Sequence, residues 1–390
     1  MDALHGLPLL DDLPDLDGRR VLVRVDFNVP LHIGIDGRAT VADDFRITTA
    51  LPTLHWLSER GAEVVACSHL GRPESKRDPR WEMDPVRDRL QALCPGVALG
   101  ENLRFDPGEK ANDPAFVTAL VAGFDAYVNE AFGVTHRRHA SIVGPPRFLP
   151  SAAGLRLARE VEVLGGILEQ PSRPFVAVVG GAKVADKLPV LEALAAKVDT
   201  LVVGGGMAFT FLAAQGRGIG SSLFEPEHVE ECRHLLESGV EILLPSDIRA
   251  LEPGGTYGRQ SGGLGPRGGV KIIEHDLPDG WTGLDIGPDT AAAFAEVVRG
   301  AGTVLWNGPL GVFEDRRFAE GTRVVAQAVA DCEGFSVVGG GDSASALDEL
   351  GLSDEVSFMS TGGGASLSFI ESGGALPGLA ALRQAPNAPH

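Results

Sequence analysis

The feature that most narrows what this chain can fold into is residues 178–187, VVGGAKVADK. An apolar run over residues 175–179 reads as a buried strand, Gly180 and Gly181 permit a sharp backbone turn, and two lysines follow four residues apart. A strand that feeds a glycine turn and then a helix suits a phosphate, because the turn amides and the positive end of the helix both face an anion. Lys183 and Lys187, one helical turn apart, would add two cations on the same side. The whole sequence contains six lysines, so two in one turn is an unusual concentration. An ordinary strand-to-helix turn with surface lysines would look the same in isolation. Recurrence weighs against that reading, since strand ends carrying chemically distinctive residues repeat through both halves of the chain.

With 390 residues, 44% hydrophobic and 22% charged, the chain can bury two domain cores, and general disorder is excluded. No apolar run approaches the roughly 20 residues that span a bilayer. The acidic N-terminal stretch lacks a basic start and an apolar signal core, so a cytoplasmic location is expected. Cys67, Cys94, Cys232 and Cys332 are widely spaced, which favours buried free thiols over a disulfide framework or a zinc site. A net charge of -19 argues against nonspecific nucleic-acid binding. It also makes local clusters of Arg, His and Lys stand out as candidate anion sites.

In the first half, strands and helices alternate. Residues 20–25 end in Asp26-Phe27-Asn28; Asp43 is a candidate N-cap for a helix carrying Arg46; residues 63–67 end in Ser68-His69-Leu70-Gly71-Arg72. A weak strand over 97–100 leads to Arg104, and a strand over 125–128 leads to His136 and Arg137. Ligands of an open parallel sheet sit beyond the carboxyl ends of its strands. Those ends here offer forked guanidinium groups for carboxylate or phosphate oxygens, with Asp and Asn to orient hydroxyls. A small, multiply anionic, hydroxylated ligand fits. Each arginine alone reads as a surface charge and each histidine as a structural residue; their convergence is the signal.

Prolines at 145, 146 and 150 and at 171 and 174 bracket a helical pattern over 155–168, where the domain connection is expected. In the second half, glycines rather than basic residues follow the strands: Gly204-Gly205-Gly206 after 200–203, Gly287 after 281–286, Asn307-Gly308-Pro309 after 303–306, Gly339-Gly340-Gly341-Asp342-Ser343 after 335–338, and Gly362-Gly363-Gly364 after 356–359. Residues 249–269 read as a glycine-rich loop with short strands. Glycines allow close backbone approach to a phosphate chain or planar base, and helices starting at Asp342 and near Gly363 would aim amides at it. Asp342 is a candidate for a magnesium ion carried by phosphates, and Glu314 for ribose hydroxyls. An N-cap role and a helix-entry charge are the plainer alternatives. None of these strand-end runs is a Walker loop or a GxGxxG fingerprint.

VRVDFNVPL, SHLGRP, ENLRF, HRRHAS, GGAKVADK, GGGMAFTFL, LDIGP, WNGPLGVFE, VGGGDSASA and STGGGASL occur in the order found in phosphoglycerate kinases, and over nearly its whole length the chain resembles that family. The resemblance implies an α/β fold of two doubly wound parallel-sheet, Rossmann-like domains joined by a hinge helix. Residues 1–154 would bind phosphoglycerate, 155–172 would form the hinge helix and linker, 173–370 would bind nucleotide, and 371–390 would pack back on the first domain. It implies reversible phosphoryl transfer from 1,3-bisphosphoglycerate to ADP, in line and after hinge closure, with Mg2+ accompanying the nucleotide. Asp26, Phe27, Asn28, Arg46, His69, Leu70, Gly71, Arg72, Arg104 and Arg137 match the substrate positions. Gly181, Lys187, Gly205, Gly206, Gly283, Leu284, Asn307, Pro309, Glu314, Gly340, Gly341, Asp342 and Ser343 match nucleotide positions, with Asp342 reaching the metal. Arg46, Lys183, Lys187, Gly341 and Gly363 are the catalytic candidates, acting through positioning and charge rather than as a general base. A monomer that engages small molecules, and neither nucleic acid nor membrane, is expected.

The sequence departs from the family pattern in a segment before Asn102 that looks shortened, so that part of a helix and strand is expected to be missing. Further departures are Glu130 in place of Asp, Asp289 in place of Lys, and Pro145-Pro146. A kinase for another small acid and a noncatalytic nucleotide- or anion-binding paralogue are the alternatives.

Overall fold

A computed structural model describes residues 4–35, 37–74, 76–258 and 266–389. The backbone divides into two compact units, one formed by Met1–Gly166 with Ser372–His390 and the other by Ile167–Glu371.

The first unit is built on a five-stranded parallel sheet. Its spatial order is Ala98–Leu99, Glu63–Cys67, Arg20–Arg24, Ala126–Asn129, Ser151–Ala153. The chain starts in the middle strand, builds outward to one side, then returns to build the other. Arg20–Arg24 is therefore the topological switch point, and its carboxyl end opens the crevice where doubly wound sheets bind ligands. Helices cover both faces, which is why the central strands are apolar nearly throughout. Val21, Val23, Val64, Ala66, Ala126 and Val128 pack with Leu54, Leu57, Val86 and Leu90 of the flanking helices. The helix Asp84–Leu93 and the strand Ala98–Leu99 are both present, the latter paired with Val65 and Ala66. The shortened segment thus keeps both elements in brief form. Two short strands, Leu31–Ile33 and Ala39–Val41, pair antiparallel in a hairpin that the sequence pattern did not indicate.

The second unit holds a six-stranded parallel sheet ordered Glu241–Leu243, Thr200–Val203, Phe175–Val179, Thr303–Asn307, Phe335–Gly339, Phe358–Met359. Its switch point lies between Phe175–Val179 and Thr303–Asn307. Three predicted details change. Thr282–Ile286 belongs to a separate antiparallel sheet with Asp247–Leu251 and Val270–Glu274, so the stretch read as a glycine-rich loop contributes a real wall; residues 259–265 of it lie outside the described residues. The helix after the lysine turn starts at Leu188, with Lys187 as its N-cap, so the two lysines precede the helix instead of sharing its first turn. Asp44, not Asp43, is the N-cap of the helix bearing Arg46, although Asp43 Oδ1 accepts from the Phe45 amide at 2.8 Å.

The helix Leu155–Glu169 begins in the first unit, where its first amides are capped by a buried side chain. Arg156 N and Leu157 N donate to the Glu130 carboxylate at 3.0 and 3.1 Å, and Thr53 Oγ1 donates to the same group at 2.5 Å. The C-terminal segment is tied to the first unit through Asn387, which accepts from Ser151 N and donates to Asp12 O.

Candidate functional site

Two chemically different sites form at the two switch points. In the first unit, Asp26 leaves the middle strand and is 7% exposed. Its Oδ2 accepts from Arg46 Nη1 at 2.5 Å, while His69 Nδ1 lies 3.9 Å from Oδ1. Burial opposes ionisation of Asp26, but Arg46, His69 and Arg24 outweigh it and hold its carboxyl below the usual value. Asn28 Oδ1 accepts from Gly71 N at 2.7 Å, and Arg104 Nη1 donates to Gly71 O at 2.7 Å, so SHLGR is clamped from both sides. Phe27 and Leu70 are buried beneath, and the Phe27 amide donates to Ser68 Oγ.

Burial also pushes His69 well below the ordinary histidine value, with Arg24, Arg104 and Arg46 adding to the effect. His136 and His139 both fall to about 4, the first through burial and Arg137, the second through burial and Arg104. Three neutral histidines among arginines mark a region of positive potential, and the buried Nδ1 of His136 and Nε of Arg104 have no hydrogen-bond partner among the described residues. An anion with several oxygens would satisfy both the charge and the open donors. Arg137 is exposed and acts on Arg104 and His136 through its charge. Arg72 is exposed and follows Gly71, the residue clamped by Asn28 and Arg104.

The sequence reading missed what stands behind these residues. Arg24 is fully buried; its Nε donates to Ser141 Oγ at 2.8 Å and its Nη2 is 3.2 Å from His69 Nδ1. Ser141 donates in turn to Glu109, which is also fully buried. Only the arginine at the end of the strand Arg20–Arg24 was visible as a signal.

In the second unit, Lys187 Nζ donates to Asn307 Oδ1 at 2.6 Å across the switch point. Burial lowers Lys187 to about 8, against the pull of Asp342 and Asp186. Asn307 is buried, and its Nδ2 is without a partner among the described residues. Beside it, Ser343 Oγ accepts from Gly308 N at 2.7 Å. The helix Gly341–Leu350 opens here behind Gly340, whose φ is +101°. A Cβ on Gly363 would lie 2.3 Å from the Gly340 Cα, so the two glycine clusters meet backbone to backbone. Free amides at a helix start, an unpaired amide NH2 and a lysine form an anion-binding corner.

A cavity of about 350 Å3 lies in the same unit. Of the predicted nucleotide residues, Gly181, Gly205, Gly206, Gly283, Leu284, Pro309, Glu314 and Asp342 line it. Lys187, Asn307, Gly340, Gly341, Ser343 and Gly363 belong to the corner beyond its lining, and Lys183 is exposed on the turn. A Cβ on Gly205 would lie 2.6 Å from Gly181 O, which keeps this wall thin enough for a flat ring. Phe209, Ile248, Tyr257 and Asp285 also line the cavity and were not predicted. Tyr257 comes from the stretch read as loop and Ile248 immediately precedes it, while Phe209 was legible only as part of GGGMAF. Burial raises Asp285 to about 7 despite hydrogen bonds from the Gly321 and Ile286 amides.

A doubly wound unit with a basic, oxygen-seeking cluster and a second with a glycine-walled slot ending in an anion corner define a small-molecule phosphotransferase. The phosphoglycerate kinase family model matches residues 10–99 and 94–373, its two pieces meeting at the shortened segment. A phosphoglycerate kinase from Rubrobacter xylanophilus is 48% identical over 94% of this chain and 96% of its own length. One from Salinispora arenicola is 49% identical over 96% and 98%. Among solved structures, the phosphoglycerate kinase of Coxiella burnetii is similar with a TM-score of 0.82 and 38% identity, covering 97% of this chain and 99% of that one. That of Pyrococcus horikoshii gives 0.81 at 29% identity, with the same coverages. The chain belongs to the phosphoglycerate kinase family. Its reaction is the reversible glycolytic transfer of a phosphoryl group between 1,3-bisphosphoglycerate and ADP, giving 3-phosphoglycerate and ATP. No helix among the described residues is long and apolar enough to cross a membrane.

Proposed function

We propose that the two sites divide this reaction between them. The first unit holds the phosphoglycerate moiety: Arg46, Arg104, Arg72 and Arg137 neutralise its phosphate and carboxylate, His69 donates as a neutral imidazole, and Asp26 and Asn28 orient its hydroxyl. The second holds the nucleotide, with the base in the slot at Gly205, Gly206, Gly283 and Leu284 and the ribose at Glu314. Its phosphates lie at the corner of Lys187, Asn307 and the helix starting at Gly341. The observation that carries this reading is the Lys187–Asn307 contact, a desolvated cation fixed at the carboxyl end of two adjacent parallel strands.

Asp342 is exposed in the first helical turn beside this corner, and no group of three metal-binding side chains exists among the described residues. A lone carboxylate suits a magnesium ion that arrives with the nucleotide and keeps most of its water, not a resident metal. When bound, the ion would neutralise charge on the phosphates. Arg46 and Lys183, with the amides of Gly341 and Gly363, stabilise the transferring oxygens, and no general base is required because the accepting oxygen is already ionised. Transfer follows closure about the segment 155–172, which excludes water. The enzyme works as a cytoplasmic monomer.

The test is ATP formation from ADP, magnesium and freshly generated 1,3-bisphosphoglycerate, with Arg46→Ala and Asp342→Ala as variants. Turnover should collapse in both, with nucleotide affinity at saturating magnesium reduced only in Asp342→Ala. Wild-type rates in either variant would reject the corresponding assignment.

A further inference from the structure

The lysine turn is held from outside by a residue with no role so far. The Glu225 carboxylate accepts from two consecutive amides of that turn, Val184 N at 2.5 Å and Ala185 N at 3.3 Å, both to Oε2. Adjacent amides converging on one oxygen are the arrangement by which glycine turns seize an anion. Here the chain supplies the anion itself. The turn carrying Lys183 and Lys187 therefore has its conformation set before any phosphate arrives.

Glu225 ends a short strap whose other residues reach the opposite walls of the cavity. Ser221 N donates to Trp281 O at 2.7 Å, and Ser222 Oγ accepts from Gly283 N at 2.9 Å. Leu223 lines the cavity, with its Cδ2 only 2.9 Å from where a Cβ on Gly206 would sit. The Glu225 amide faces Thr210 Oγ1 at 3.3 Å, on the helix that follows the Gly204–Gly206 cluster. Within five residues the strap thus touches the walls assigned to the base and the turn assigned to the phosphates.

We infer that Glu225 is a positioning residue for Lys183 and Lys187, and that the strap 221–225 transmits occupancy of the base slot to the lysine turn. The inference rests on the nucleotide reading above. A ring seated against Gly206 and Gly283 presses on Leu223 and Ser222 and restrains the segment whose end clamps the turn. Occupancy by a nucleoside lacking phosphate should then stiffen the turn at Val184 and Ala185, neither of which lines the cavity.

Amide hydrogen exchange at Val184 and Ala185, followed by NMR with and without saturating adenosine, tests the transmission. Adenosine should slow exchange at both amides severalfold in the wild type and leave it unchanged in Glu225→Ala, where those amides already exchange faster. In the ATP-forming assay Glu225→Ala should lower kcat about tenfold or more, the scale of a misplaced catalytic group, while KM for 1,3-bisphosphoglycerate changes less than about twofold. Glu225→Gln, whose side-chain oxygen still accepts from both amides, should restore most of the rate, which separates positioning from charge. Bound adenosine that leaves Val184 and Ala185 unprotected, or an unchanged kcat in Glu225→Ala, would overturn the inference alone. Failure of the wild type to bind adenosine by calorimetry would overturn the nucleotide reading on which it stands.

Discussion

Lys187 and Asn307 face each other across the switch point of the second sheet, the ammonium donating to the amide oxygen at 2.6 Å. They come from different strand ends 120 residues apart in sequence, so the contact exists only because Phe175–Val179 and Thr303–Asn307 are neighbours in register. It leaves the Asn307 Nδ2 open and the lysine short of solvent, with a value near 8.

The pH dependence follows with a definite sign. Below about 8 Lys187 is charged; above it the free enzyme loses a cation from its phosphate corner. The plot of kcat/KM for ADP should fall as pH rises through about 8, and Lys187→Arg should abolish that limb at a lower overall rate. A profile of identical shape in the variant would assign the limb elsewhere.

Lys183 is exposed and outside any secondary structure that depends on it. Lys183→Ala should therefore leave thermal stability within about 0.5 kcal/mol of the wild type. Loss of one charge that meets the transferring oxygens should reduce kcat on the order of a hundredfold. Near-normal turnover would remove Lys183 from the mechanism.

Glu130 makes stability pH-dependent in the opposite sense from an ordinary ion pair. Burial raises it from 4.5 to about 7 against the hydrogen bonds of Thr53 and the Leu157 and Arg156 amides. Between these values the folded chain binds more protons than the unfolded one, so the Glu130 contribution declines as pH rises from about 4.5 to about 7. The change is on the order of 3 kcal/mol at most. Asp285, raised for the same reason, adds to the slope. Urea unfolding at intervals across this window should show a shallower decline in Glu130→Gln; equal slopes would mean that Glu130 titrates normally.

Backbone contact between the last two glycine clusters predicts a steric lesion. The added methyl of Gly363→Ala would meet the Gly340 Cα at 2.3 Å and its N at 2.7 Å, atoms that cannot swing aside as a flexible side chain would. Overpacking of this kind costs about 1–3 kcal/mol. Because Gly340 opens the helix at the anion corner, ADP affinity should fall as well, measured by calorimetry beside a thermal melt. A variant that binds ADP normally would show that the corner tolerates displacement.

Much of this was legible in the residue order. Apolar runs ending in basic residues in one half and in glycines in the other indicated two doubly wound sheets with different ligands, because strand polarity puts strand-end residues on one rim. Asp26, Asn28, His69 and Arg104 were identifiable on that basis, as were Gly205 and Gly206 of the slot. Local sequence could not report the partners that control them. Arg24 and Glu109 meet through Ser141, which is remote from both in the chain. Residues 281–286 read as a strand, but their antiparallel pairing with Asp247–Leu251 was hidden because pairing across a glycine-rich stretch leaves little periodic signal. The lysine turn was recognised but given the wrong helix start, since the capture of its amides by Glu225 depends on a segment 40 residues onward. Strand periodicity, turn chemistry and motif order are local properties, and the sequence by itself determined the fold class and the family from them. Burial, the pairing of distant side chains and the resulting shifts in Lys187, His69 and Glu130 depend on which surfaces exclude water together, and only the tertiary structure decided those.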